Sequence, residues 1–306
     1  MLKLHIVIFD VERGFCAYLQ DTDGYSMLID CGRKNNFSPV KYLKNNKSIY
    51  FPKKFNEKYL TQLLITHSHG DHLNDIRNLI EELPPALLRR TKLDNYDPDD
   101  VQLSERERED NNLKIFRNEL DEKYINTPEK TGLPNWKIKK TYFNLSPEEA
   151  KKIDQAKILN NTSHVLLVEF GGRKILFTGD LEANGWNALI GKNPDGFREK
   201  IRGVDFFIVP HHGHASGFSQ EIFDIIGKPL LNVISEKSKT QNGSDEVDSR
   251  YSQENYFRGV NFRDGYFSQR LRRSLTTRND GSIFIDIYDN GEFNIKFETL
   301  KPNINV

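Results

Sequence analysis

The 306-residue chain reads as a single α/β (α+β) domain spanning 1–306, and three observations lead there. Short strand-like runs recur from the first residues to the last. One of them ends in a histidine-rich loop and passes directly into a helical periodicity. Two glycine-bearing turns, Gly171-Gly172 and Asp289-Asn290-Gly291, sit between apolar runs and mark hairpins.

Taken in order, Leu4–Phe9, Cys16–Gln20 and Ser26–Asp30 are strands, with Asp21-Thr22-Asp23-Gly24 turning between the second and third. A basic connector follows. Leu60–Thr66 is an apolar run of strand length that stops at His67. From Asp71 the pattern becomes helical, with Leu73, Ile76, Leu79 and Ile80 at helix spacing until Pro84-Pro85 ends the element. Residues 85–150 differ: Leu88–Tyr124 holds 11 acidic and 8 basic residues in 37, the composition of a charged, largely helical insertion or of a lid. Strands return in 164–170 and 173–180, then in Val204–Val209 and Leu230–Ser235. A second insertion spans 236–268, and SIFIDIY with EFNIKFE closes the chain as a hairpin.

Composition narrows the function classes. Lys+Arg and Asp+Glu number 44 each, so overall charge gives no reason to bind a polyanion. That neutrality hides an uneven distribution. Arg33–Lys58 carries eight basic residues and one acid, with Tyr42, Tyr50, Phe51 and Phe55 interleaved, and Arg270–Arg278 carries four arginines and no acid. Such tracts suit phosphate contact and base stacking, with Lys53 and Lys54 as expected substrate contacts. No apolar run approaches the ~18–20 residues that span a bilayer. The first residues read as a strand rather than a signal peptide, so a cytoplasmic location without membrane insertion is expected. Two cysteines are too few for a disulfide framework or a cysteine-built zinc site.

Seven of the eight histidines fall in three short segments: His67, His69 and His72; His164; and His211, His212 and His214. His67 and His69, two apart in an extended segment, share a side and can grip one cation. Asp71 and His72 can face a second. Imidazole nitrogens and carboxylate oxygens suit a borderline cation such as zinc. Asp180, after a strand and a glycine, has two oxygens with which to bridge two metals. Of the pair His211 and His212, one can complete the second site while the other orients substrate.

These residues, in this order, resemble the metallo-β-lactamase superfamily, whose signature is His-x-His-x-Asp-His after a strand, then a bridging Asp, then a final His. The resemblance is closer to the hydrolase domain of ComEC-type DNA-uptake competence proteins. It rests on Asp10-Val11-x-x-Gly14, Leu28-Ile29-Asp30-x-Gly32, the Asn160/Asn161-x-Ser163 region, Leu176–Asp180, Pro210–Gly213 and Thr276–Ile283. It implies a four-layer αββα sandwich and a metal-dependent hydrolase that uses hydroxide activated by two divalent ions, Zn2+ or alternatively Mn2+. By position, His67 and His69 hold the first ion, Asp71 and His72 the second, Asp180 bridges, and the last ligand aligns with His212. Together these six form the expected catalytic set. The superfamily's third first-site histidine aligns near Leu159 or Asn160, so Asn160, His164 and His211 are weaker ligand candidates. His211, His214, Ser163 and His164 are expected to meet substrate.

A two-metal site beside the N-terminus of a helix favours an anionic electrophile. The expected reaction is phosphodiester cleavage in nucleic acid, DNA foremost. The alternatives are a small-molecule hydrolase acting on a cyclic nucleotide, ester or lactone, and a metal-stabilised DNA-binding subunit without turnover.

Overall fold

Along β1 (Lys3–Ile8), Ile6 and Ile8 point one way and Val7 the other, yet all three are fully buried. A strand buried on both sides needs a layer over each face. The computed structural model, which describes residues 1–92, 109–124, 133–236, 247–264 and 268–304, supplies both layers.

Among the described residues, one sheet runs β15 (Phe293–Glu298), β14 (Ser282–Tyr288), β1, β2 (Ala17–Gln20), β3 (Ser26–Ile29), β4 (Gln62–Leu64), β5 (Leu87–Arg89). The other runs β13 (Ser274–Thr276), β10 (Leu231–Ile234), β9 (Phe206–Ile208), β8 (Arg173–Phe177), β7 (Val165–Phe170), β6 (Lys139–Phe143). A separate ribbon pairs β11 (Val260–Asp264) with β12 (Ser268–Arg272). Ile6, Ile8, Met27 and Ile29 of the first sheet share a core with Leu166, Phe177, Phe206 and Val233 of the second. Val7, Tyr18, Leu28 and Leu63 turn outward onto Val40, Leu43, Ile76 and Leu79 of helices. Leu167, Leu176 and Phe207 turn onto Trp186, Leu189, Phe197 and Phe223. The order is therefore helix, sheet, sheet, helix, as the resemblance implied. Each such fully buried side chain contributes roughly 1.5–3 kcal/mol.

Strand direction positions the site. β3, β4 and β5 are mutually parallel, as are β8, β9, β10 and β13. Side chains that follow their C-terminal ends, namely Asp30, His67, Asp180, His212 and Ser235, collect at one margin of the sandwich.

One expectation is corrected. The helix expected from Asp71 to Pro84 is two pieces, Gly70–Leu73 and Ile76–Glu82. Cys31 takes the backbone groups that would join them: its N–H donates to His72 O (2.9 Å) and its carbonyl accepts from Asp75 N (2.8 Å). A single turn at the histidine loop cannot supply the helix dipole that the sequence suggested. The basic connector is helical over Pro39–Asn45 and Lys47–Tyr50, started by Ser38, which accepts from Lys41 N. Within segment 85–150, β5 and β6 belong to the two sheets, and Leu113, Ile115, Phe116 and Leu120 are buried. Its residues 93–108 and 125–132 lie outside the described residues, as do 237–246 and 265–267 of the second expected insertion. No described helix is long and apolar enough to cross a membrane.

Candidate metal centre

Thr66, His67, His69, Asp71 and His72 follow β4 in a turn that two glycines from elsewhere allow to pack closely. A Cβ on Gly14 would lie 2.0 Å from Asp71 O, and one on Gly32 would lie 2.9 Å from it. Gly14 also sits at φ +98°, which a side chain would resist. Asp180 follows Gly179 (φ +55°), and its N–H donates to Ser163 Oγ at 3.0 Å. His211 and His212 both adopt left-handed backbone, at φ 49° and 54°. Two consecutive side-chain-bearing residues there cost roughly 1–2 kcal/mol each. The strained turn aims His212 inward and His211 toward Glu182.

The imidazoles and carboxylates converge. His67 Nε2 lies 3.6 Å from Asp180 Oδ2, His72 Nε2 lies 3.4 Å from Asp180 Oδ1, and His212 Nε2 lies 3.4 Å from Asp180 Oδ2. Asp71 Oδ2 is 3.9 Å from His212 Nε2, and His69 Nδ1 is 3.0 Å from His67 Nε2. Ligating atoms of His67, His72 and Asp180 lie within 4.8 Å of one another, as do those of Asp71, His72 and His212. His72 belongs to both groups, so the two candidate cation positions share a wall.

A rigid outer frame orients the imidazoles. Asp30 is fully buried with its carboxylate on Thr66 N (2.7 Å), Thr66 Oγ1 (2.7 Å) and His72 Nδ1 (2.8 Å). That directs His72 Nε2 inward as the ligating atom. His212 Nδ1 faces Ser235 O at 3.1 Å, leaving Nε2 inward as well.

Electrostatics fit cations. Burial opposes charge on Asp180, but the imidazoles of His212, His72 and His67 outweigh it and hold the carboxyl well below its usual range. Asp71 is likewise lowered against burial, by His72 and His212. Burial would lower His72 and His212, but Asp180 above all holds both above the ordinary value, with Asp30 adding to His72. His67 is held well below it by burial and by the neighbouring His72. The two carboxylates thus favour positive charge at His72 and His212, a balance that divalent cations would supply instead. The donor set fits such ions, and Asn160 adds a buried Oδ1 with no hydrogen-bond partner among the described residues.

An open cleft of about 380 Å³ leads to this cluster, lined by Arg13, His69, Asp71, Lys157, Asn160, Asp180, His211 and His212, with Gly70 and Asp110. Of the residues expected to meet substrate, His211 lies in the cleft wall and His214 is exposed beside it, ring centroids 5.4 Å apart. Ser163 instead supports Asp180 from behind. His164 is buried, with its ring Nε2 3.4 Å from Thr91 Oγ1, and burial lowers it to about 4. It joins neither group of ligating atoms.

Lys53 and Lys54 are away from the centre. They stack on Tyr25 and Tyr59, beside the β2–β3 turn and the start of β4, at the far end of the strands that carry Asp30 and His67. Tyr50 and Phe51 are buried in the outer core, which corrects the base stacking expected of those two rings, while Tyr42 and Phe55 are half-buried. Three of the four arginines in the second basic tract are paired: Arg272 with Asp280, Arg273 with Glu254, Arg278 with Glu236. The isolated His5 bonds Asp286 at 2.6 Å, a contact within the sheet. Sequence reasoning did not single out Thr66, Ser235, Glu182 or Arg13, because each acts through a partner distant in the chain.

The family model described as "Metallo-beta-lactamase superfamily" matches residues 10–229. A comparison with curated proteins yields no match. Among solved structures the chain is similar to the metallo-beta-lactamase fold protein YhfI from Bacillus subtilis. The identity is 16%, over 79% of this chain and 89% of that one, with a TM-score of 0.41.

Proposed function

The chain belongs to the metallo-beta-lactamase superfamily, and from that premise we propose that it is a two-metal phosphodiesterase whose substrate is nucleic acid, DNA foremost. One observation carries the reading: two groups of ligating atoms share the buried His72, and their members Asp71, Asp180 and His212 line an open cleft together with Arg13 and Lys157. The motifs shared with ComEC-type hydrolase domains support it, among them Asp10-Val11, Leu176–Asp180 and Pro210–Gly213.

His67, His69 and Asp180 would hold the first cation, and Asp71, His72, His212 and Asp180 would hold the second. Zn2+ suits the nitrogen-rich set, and Mn2+ suits its carboxylates. When bound, divalent cations supply Lewis acidity and acidify water. Asp30 and Ser235 O keep the Nδ1 protons of His72 and His212 outward, so that both rings present Nε2 to the centre. Asp71 lies at the cleft with an ionised oxygen that can accept a proton from attacking water. His211, bonded through Nδ1 to Ser216 Oγ at 2.8 Å, can present its other nitrogen to a leaving oxygen.

Purified protein loaded with Zn2+, Mn2+ or Mg2+ should cleave at least one of single-stranded DNA, double-stranded DNA and RNA. Asp180→Asn should abolish cleavage while leaving the protein folded by circular dichroism. Intact substrates across the whole panel would refute the proposal. Cleft volume favours one second reading, because about 380 Å³ lies within the range of small-ligand sites. Turnover of a cyclic nucleotide, ester or lactone without nucleic-acid cleavage would select it. DNA binding unchanged by Asp71→Ala, without cleavage in wild type, would select a non-catalytic binding subunit. We place its action in the cytoplasm.

A further inference from the structure

The loop Glu12-Arg13-Gly14 lies against the metal-ligand turn. Glu12 and Gly14 both have positive φ, 60° and 98°, and Gly14 presses its Cα onto the carbonyl of Asp71. Ser235 Oγ donates to Gly14 O at 2.8 Å, while the backbone carbonyl of Ser235 holds His212 Nδ1. One framework therefore fixes Arg13, Asp71 and His212 together. Arg13 reaches into the cleft with its Nε 3.3 Å from Asp71 Oδ2 and its side chain 59% exposed.

A second cation lines the same cleft. Lys157 Nζ is 3.5 Å from Glu182 Oε1, with its side chain 45% exposed. The same Glu182 oxygen accepts from Asn160 Nδ2 at 2.9 Å and lies 3.5 Å from His211 Nδ1. Arg13 thus meets the centre through Asp71, a neighbour of His212, whereas Lys157 meets it through Glu182, a neighbour of His211. Both contacts are long, single-point pairs, unlike the bidentate Arg77–Glu119 pair at 2.7 and 2.9 Å. No hydrogen bond within the described residues uses the terminal nitrogens of Arg13, which keep donors in the fork geometry that fits phosphate. Asp110, also in the wall, spends one oxygen capping the helix Asn111–Ile115.

We propose that Arg13 and Lys157 form a two-point anion clamp, binding phosphoryl oxygens on either side of the bond cleaved at the centre. The inference rests on the phosphodiesterase reading and narrows it: the substrate carries negative charge on both flanks, as an oligonucleotide does and a neutral ester or lactone does not. Arg13 gives up its contact with Asp71 when that carboxylate binds a cation, and its guanidinium turns to the substrate.

The test uses zinc-loaded wild type, Arg13→Ala, Arg13→Lys and Lys157→Ala, each with its metal content measured. Titration with inorganic phosphate should show binding about tenfold to a hundredfold weaker in Arg13→Ala, partly restored in Arg13→Lys. For a phosphorothioate single strand, the slope of log affinity against log salt should fall by about 0.7 for each clamp residue removed, which a merely structural role would not produce. Wild-type phosphate affinity in Arg13→Ala at unchanged metal content would overturn the clamp, as would a wild type that binds no phosphate. Loss of metal in Arg13→Ala would also overturn it, leaving Arg13 as a support for Asp71. The two proposals fail separately. Phosphate held through Arg13 without nucleic-acid cleavage keeps the clamp and sinks the nuclease. Cleavage with kcat and KM unchanged in Arg13→Ala and Lys157→Ala keeps the nuclease and sinks the clamp.

Discussion

Asp30→Asn separates the work of a metal-orienting carboxylate from that of a structural one. Asp30 has left-handed backbone, φ 56°, which asparagine tolerates, so the substitution adds little backbone strain. The native carboxylate accepts three hydrogen bonds, two at 2.7 Å from Thr66 and one at 2.8 Å from His72 Nδ1. Asparagine can keep its oxygen on Thr66 N, but its amide then faces His72 Nδ1, which must become an acceptor. The ring proton moves to Nε2, the atom 3.4 Å from Asp180 Oδ1, and a protonated nitrogen cannot ligate. Losing such an outer partner typically costs 10–100-fold in metal affinity, or about 1.4–2.7 kcal/mol. The metal-free protein should suffer less. Burial raises the Asp30 carboxyl despite His72, so removing its charge relieves desolvation while hydrogen bonds are lost, a net cost of about 1 kcal/mol. Zinc affinity by competition with a chromophoric chelator, paired with urea unfolding of the metal-free protein, reads the two effects separately. Wild-type zinc affinity in a variant that is clearly destabilised would refute the orienting role.

Other perturbations test neighbouring parts of the reasoning. His212→Ala should lower the number of cations bound per chain, measured by mass spectrometry of the dialysed protein, while His211→Ala should not; the reverse result would contradict the aim of the strained turn. Gly14→Ala, which drives a Cβ to 2.0 Å from Asp71 O, should cost at least about 2 kcal/mol in urea unfolding and weaken zinc binding; an unchanged midpoint would show that the loop yields freely. Lys140→Met should stabilise the protein by about 1–2 kcal/mol at pH 6. Burial lowers Lys140 to about 6, with Asp21 opposing and Arg89 adding. Between about pH 6 and about pH 10 the unfolded chain holds a proton that the folded one lacks, so wild-type stability climbs with pH and the advantage of the variant should shrink. A constant difference from pH 6 to 9 would show that Lys140 keeps its charge when folded.

Local chemistry made much of this protein legible. Period-two burial and turn residues placed most of the strands, and the spacing of His67, His69, Asp71 and His72 announced a cation site, because ligands two to five residues apart converge with little help from the rest of the chain. The charged tracts misled, since exposure is not a local property. Tyr50 and Phe51 interleave with lysines yet pack into the outer core, and Arg272, Arg273 and Arg278 find carboxylates elsewhere. The helix after Asp71 misled for a related reason: its periodicity is real, but Cys31 captures the backbone groups at the break.

The sequence by itself determined the donor types, their order along the chain and the strand ends on which they ride. Only the tertiary structure decided that Asp30 grips His72 from 42 residues away, that Ser235 holds both His212 and the Arg13 loop, and that Lys157 and Arg13 line one cleft. Strand and turn preferences arise from neighbours a few residues apart. Orientation of a ligand, and the sign of charge around it, depend on which distant side chains the packing of two sheets brings within hydrogen-bond reach.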